Sequence, residues 1–266
     1  MAWRLCNFVP APLLPNNQDR NNPDPIKSMH DITQNTAWFV TGTDTGVGKT
    51  LISSALVHAF AAQGKRSVGM KPVAAGCEWR DGALHNDDVA MLRAASNLPL
   101  ARERINPYAF MPPIAPHIAA EQAGTPIALH VLLQAYQDLR AEAERVIVEG
   151  VGGFCVPLGD TLDTADLAVA LNLPVILVVG LRLGCLNHAL LTQEAILSRG
   201  LRLQGWVGNH IDPEMAMPQE NITALQQRLQ APCLGIVPWQ AGASASVSEP
   251  DFRQVSPLLD IALLTD

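Results

Sequence analysis

Gly42-Thr43-Asp44-Thr45-Gly46-Val47-Gly48-Lys49-Thr50 is the stretch whose residue types and spacing speak most directly of chemistry. An apolar run, Trp38 to Val40, leads into it, and Leu51 to Ala61 leaves it with the character of a helix. A strand, a glycine-rich turn and a Gly-Lys-Thr that opens a helix make a phosphate-binding loop. Gly46, Val47 and Gly48 let the backbone wrap a polyphosphate, and amides at a helix start favour an anion. Lys49 is expected to reach the β- and γ-phosphates, and the Thr50 hydroxyl to bind Mg²⁺. The usual spacing is Gly-x4-Gly-Lys-Ser/Thr. Here Thr43 occupies the place of the first glycine and the glycine stands one position earlier, at Gly42.

Other groups stand where strands end. Lys71 closes Gly69-Met70 and precedes Pro72; it reads either as a solvated charge or as a second cation beside the γ-phosphate. Asp87 and Asp88 follow Asn86 ahead of an apolar helix, and either helix capping or Mg²⁺ ligation suits them. Glu149 closes the apolar run Val146-Ile147-Val148 and is followed by Gly150, Val151, Gly152 and Gly153. A carboxylate there suits Mg²⁺, and the glycines let the next loop approach a substrate. Gly184, Cys185, Leu186 and Asn187 open a further helix whose amides could bind a carboxylate. His188 reads as a packed helix residue, and Cys185 has no obvious base partner.

The elements that must position these groups alternate. Strands are expected at 37–41, 67–71, 145–149, 174–179, 204–209 and 233–237. Helices are expected at 48–63, 87–95, 116–123, 126–143, 165–171, 186–198 and 219–229. Apolar strands alternating with helices imply an α/β fold: three layers, with a parallel β-sheet flanked by helices on both faces. Ligands in such sheets bind at the carboxyl ends of the strands. Residues 43–50, Lys71, Glu149, Asn209 and Pro238-Trp239 should therefore converge.

At 266 residues and 48% hydrophobic composition, the chain can bury one sizeable core. A net charge of −7 argues against a broad nucleic-acid surface. No apolar run reaches the roughly 18 residues of a membrane span. The five cysteines (Cys6, Cys77, Cys155, Cys185, Cys233) are scattered and form no CxxC pair, as in a cytoplasmic protein with reduced thiols. Residues 1–35, rich in Pro, Asn and Asp, read as a disordered extension ahead of a single domain at 36–266. Met29 is a candidate native start.

With these residues in view, the chain resembles the dethiobiotin synthetases, P-loop enzymes of biotin synthesis. The likeness rests on Val-Thr-Gly-Thr-Asp-Thr-x-Val-Gly-Lys-Thr (40–50), Lys-Pro-Val-Ala (71–74), Asn-x-Asp (86–88), Asn-Pro-Tyr-x-Phe (106–110) and Pro-His-Ile (116–118). It continues in Val-Glu-Gly-x-Gly-Gly (148–153), Leu-Gly-Cys-Leu-Asn-His-Ala (183–189), Gly-Trp-Val-x-Asn (205–209) and Pro-Trp (238–239). The resemblance implies Mg²⁺- and ATP-dependent closure of a ureido ring on 7,8-diaminononanoate with CO2, through a carbamate and a carbamic–phosphoric anhydride. It implies that Thr45, Lys49 and Lys71 hold the γ-phosphate and that Thr50, Asp88 and Glu149 bind Mg²⁺. Asn209, His210, Pro238, Trp239 and Gln240 would line the adenine. It further implies a homodimer in which Gly184–Asn187 grips the substrate carboxylate across the interface.

Three positions depart from the family pattern. Ala75 stands where a serine is frequent, Gly46 where some members carry glutamate, and His210 where a small polar residue is common. Two rivals fit less well. An amidotransferase-type ATPase needs a glutaminase domain for which no chain remains after residue 240. A partitioning-type ATPase switch carries a lysine where this chain has Asp44.

Overall fold

The computed structural model describes residues 36–80, 82–240 and 251–264. The expectations of a disordered extension at 1–35 and of a start at Met29 lie outside the described residues.

The chain runs β1 (Ala37–Gly42), α1 (Lys49–Ala62), β2 (Ser67–Met70), β3 (Val73–Ala75), β4 (Glu78–Arg80), β5 (Ala83–His85) and α2 (Asp87–Ala95). It continues through α3 (Arg102–Ile105), β6 (Tyr108–Phe110), α4 (Pro116–Gln122), α5 (Leu129–Glu142), β7 (Arg145–Glu149), α6 (Thr164–Leu171) and β8 (Val175–Leu181). Then follow α7 (Cys185–Ser198), β9 (Leu203–His210), α8 (Pro218–Arg228), β10 (Cys233–Val237) and α9 (Phe252–Val255). Six strands form one sheet in the order β10-β9-β8-β1-β7-β2, and every pairing in it is parallel.

Alternation along each strand divides the interior into two cores. Trp38 and Val40 of β1 face a cluster with Ile52, Leu56 and Phe60 of α1 and with Phe252 and Val255 of α9. Ala37 and Phe39, one residue out of phase, face the opposite cluster with Leu132 and Leu139 of α5, Leu167 of α6 and Ala189 of α7. Side chains of a strand point alternately to its two faces, so a sheet covered on both sides must be apolar at every position. All six residues of β1 and all seven of β8 are buried accordingly. On the α1 face, Trp38 stacks on Phe60 with ring centroids 5.0 Å apart. The three-layer α/β expectation holds.

Several boundaries shift. α5 begins at Leu129, three residues after Pro126, and α7 begins at Cys185. Between β2 and β7 the chain also builds two small sheets, parallel β3–β6 and antiparallel β4–β5, which sequence reasoning left as loop. Each strand there has three residues, too few to display a period of two.

Candidate active site

The sheet order places β1 between β7 and β8, so the loops after β1, β2 and β7 open at one end of the sheet. The loop after β1 reaches α1 through Gly48, whose φ of +88° puts it in the left-handed region. No side chain caps α1, which leaves its first amides free for an anion. Gly42 owes its place to packing rather than to turn geometry. A Cβ on Gly42 would lie 2.6 Å from Cγ2 of Val47, and one on Gly180 of β8 would lie 2.7 Å from Cγ1. Val47 is fully buried in the notch between these two glycines. The displaced first glycine of the loop therefore admits an apolar anchor that ties the loop to the sheet.

Gly48 is constrained more severely. A methyl there would run into the Asn209 side-chain amide, and its φ disfavours any L side chain. Gly48→Ala is expected to destabilise the fold by at least about 1 kcal/mol and to weaken nucleotide binding. Urea titration and nucleotide-binding isotherms measure the two effects.

A charge cluster, buried at Lys71 and Glu149 and half-exposed at Asp88, lies beside the loop. Lys71 is 3% exposed, and its Nζ donates to Asp88 Oδ2 at 2.6 Å and to Glu149 Oε1 at 2.5 Å. Thr50 Oγ1 donates to the same Glu149 oxygen at 2.8 Å. Burial drives the Lys71 pKa down, but the Glu149 and Asp88 carboxylates outweigh it and push it up to about 12. Burial tends to raise Asp88, yet the Lys71 charge and hydrogen bond carry it below the ordinary carboxylate range. Burial holds Glu149 above that range against the pull of Lys71. Lys49 is also buried; its Nζ donates to the carbonyl of Asp44 at 2.9 Å. Burial, reinforced by the nearby Lys71 charge, lowers its pKa to about 8. The two Lys71 carboxylates balance its charge, so Lys49, hydrogen-bonded to a carbonyl rather than a carboxylate, is the cation of this cluster most open to a polyphosphate.

A cavity of about 720 Å³ opens on this cluster. Thr45, Gly46, Gly48, Lys49, Thr50, Lys71, Ala75, Asp88, Glu149, Val151 and Gly152 all line it. Leu51, Met91, Pro113, Ile114, Ala115, Pro116 and Val156 complete its wall, a contribution not foreseen from sequence beyond the Pro-His-Ile string at 116–118. The capping alternative for the acidic pair is resolved: Asn86 caps α2 by accepting from the Val89 amide, and Asp88 turns to Lys71 instead.

The remaining expected residues lie elsewhere. Val47 and Gly150 sit behind the wall; a Cβ on Gly150 would lie 3.1 Å from the Phe39 ring. Asn209 and His210 end β9, and Pro238, Trp239 and Gln240 follow β10 beyond the loop, with Trp239 41% exposed. Gly184, Cys185, Leu186 and Asn187 open α7 and do not line the cavity. Cys185 is buried, whereas His188 is exposed, contrary to its reading as a packed residue. Arg182, just before that segment, pairs with Asp44 of the loop at 2.6 Å, a link that sequence reasoning missed.

The donor set fits Mg²⁺. Glu149 Oε2 is buried without a hydrogen-bond partner, and its neighbours Thr50 and Asp88 also offer oxygen. Mg²⁺ takes one or two carboxylates and fills its other positions with water and phosphate oxygens. No group of three or more His, Cys, Asp or Glu side chains suited to a metal gathers among the described residues.

A doubly covered parallel sheet with a glycine loop, a lysine and a buried carboxylate at its carboxyl end defines the P-loop nucleoside triphosphatase fold. Residues 36–246 match the AAA domain family. The ATP-dependent dethiobiotin synthetase of Nitrosospira multiformis is 57% identical over 85% of this chain and 95% of its own length. That of Aromatoleum aromaticum is 56% identical over 80% of this chain and 94% of its own. That of Xanthomonas oryzae pv. oryzae is 53% identical over 79% and 94%. The chain belongs to the ATP-dependent dethiobiotin synthetase family.

Proposed function

We propose that this chain is an ATP-dependent dethiobiotin synthetase. The observation that carries the reading is the meeting of Lys49, Thr50, Lys71, Asp88 and Glu149 on one cavity, in a chain 57% identical to a synthetase of that name. One amine of 7,8-diaminononanoate takes up CO2 and loses a proton to give a carbamate. A carbamate oxygen attacks the γ-phosphorus of ATP, and the bond to ADP breaks. The second amine then attacks the anhydride carbonyl and loses a proton; phosphate leaves and the ureido ring closes.

The protein's contribution is position and charge. Thr45, Lys49 and Lys71 hold the transferring phosphoryl group, with Lys71 kept cationic and immobile by its two carboxylates. Thr50, Asp88 and Glu149 would hold Mg²⁺, which neutralises charge on the phosphate oxygens. Val151, Gly152 and Ala75 face the space left for the diamine. Ala75 supplies no hydroxyl there, so that part of the wall binds by shape alone. Asn209, His210, Pro238, Trp239 and Gln240 would receive adenine beyond the loop.

The reading extends to a homodimer in the cytoplasm, in which Gly184–Asn187 closes the partner's site on the substrate carboxylate. Leu183 at 92% exposure and Leu191 at 56% support a covered face there. No helix of the described residues is long and apolar enough to cross a membrane.

ADP release that requires both diamine and bicarbonate tests the reaction; release indifferent to the diamine overturns it. The metal assignment has its own test. Glu149→Gln is expected to raise the Mg²⁺ concentration for half-maximal activity by about tenfold or more, since it removes one of few protein oxygens. An unchanged Mg²⁺ titration would return Glu149 to a role as partner of Lys71 only.

A further inference from the structure

Asn209 sits at the end of β9, 5% exposed, opposite Gly180 of β8. Its Nδ2 donates to the carbonyl of Val47 at 2.9 Å across 162 residues of sequence. Val47 is the residue wedged between Gly42 and Gly180, and Gly48 beside it has no room for a side chain because the Asn209 amide fills that space. The turn before Lys49 is thus fixed at two points: its apolar side chain by the sheet, its carbonyl by Asn209. A carbonyl so held fixes the peptide plane that follows, and with it the Gly48 amide, one of the donors that open α1.

The geometry points to Asn209 as a positioning residue for the phosphate-binding loop itself, acting on any bound polyphosphate whether or not a base is attached. This rests on the nucleotide-site reading and deepens it, because an adenine-lining role alone predicts the opposite selectivity. The residue acts through the backbone of Val47 and Gly48 and touches no phosphate. Removing the amide leaves a buried carbonyl unpaired and the turn free to move. A loss of one such hydrogen bond corresponds to roughly tenfold in affinity.

The test compares ATP with inorganic tripolyphosphate, which carries the phosphates and no base. Affinities are measured by calorimetry for ATP and by competition against ATP for tripolyphosphate, on wild type, Asn209→Ala and Asn209→Asp. The aspartate variant keeps the side chain's size but sets an oxygen against the Val47 carbonyl; it preserves the comparison if the alanine variant does not fold. The expected result is that tripolyphosphate loses about tenfold and ATP loses at least as much, any excess in ATP being the adenine contact. Weakened ATP binding with tripolyphosphate unchanged would confine Asn209 to the base and overturn the assignment. Failure of tripolyphosphate to compete on wild type would overturn it too, since no preformed cradle would then exist. A wild type that binds neither ligand contradicts the nucleotide reading instead, which separates the two failures.

Discussion

Lys71→Ala is expected to lower kcat by about 10²–10³-fold with little change in folded structure around the loop after β1. The ammonium is held by Asp88 and Glu149 at 2.6 and 2.5 Å; in the proposed reaction it meets the charge that develops during phosphoryl transfer, and a group so held needs little reorganisation. The same substitution carries a stability cost, because it strands the fully buried Glu149 carboxylate with only the Thr50 hydroxyl. Breaking one partner of a buried pair typically costs about 3–5 kcal/mol. Burial already holds the Glu149 pKa high, and loss of Lys71 removes the main pull that opposes this, so the carboxyl relieves part of that cost by taking up a proton. A Lys71→Met/Glu149→Gln double variant therefore recovers stability in a urea titration but not activity. A single variant that turns over near the wild-type rate would remove Lys71 from the reaction.

Lys49→Ala is expected to reduce kcat/KM by roughly 10³-fold, with a marked loss of ATP affinity as well as of rate. Lys49 differs from Lys71 in its partners. It rests on a backbone carbonyl rather than a carboxylate, and burial with the neighbouring Lys71 charge brings its pKa to about 8. In the proposed reaction an incoming triphosphate would relieve that unfavourable placement, so Lys49 is expected to act on binding and the pre-paired Lys71 mainly on the transition state. Steady-state kinetics separate the two: KM for ATP rises in Lys49→Ala, while in Lys71→Ala the loss falls on kcat. Equal effects on kcat alone in both variants would contradict the division.

Much of this was legible in the residues. The Gly-Lys-Thr after an apolar run fixed the loop, and Glu149 after Val146-Ile147-Val148 fixed a carboxylate at the end of a buried strand. The alternation of apolar runs with helical segments gave the parallel sheet, because β1 and β8 are apolar at nearly every position. Other features were not legible, for definite reasons. The residue types alone left Asp87 and Asp88 open and only the resemblance picked Asp88; that Asn86 takes the cap is a local competition among three polar residues of similar capping strength. The shifted glycine looked like an irregular motif until Val47 was seen seated between Gly42 and Gly180. The Asp44–Arg182 and Val47–Asn209 contacts join residues 138 and 162 positions apart, and no local pattern announces either. The Pro113–Ala115 wall follows β6 of the small β3–β6 sheet, whose three-residue strands each follow a proline (Pro72 and Pro107) and carry no periodic signal.

The most direct test of the central claim is a single reaction containing purified protein, 7,8-diaminononanoate, bicarbonate, Mg²⁺ and ATP, with ADP and the ring product followed together by mass. The account predicts one dethiobiotin for each ADP, and no appreciable ADP when either the diamine or bicarbonate is left out. ATP hydrolysis that proceeds unchanged without the diamine and yields no ring product would contradict it, and would make the chain a nucleotide switch of the partitioning type.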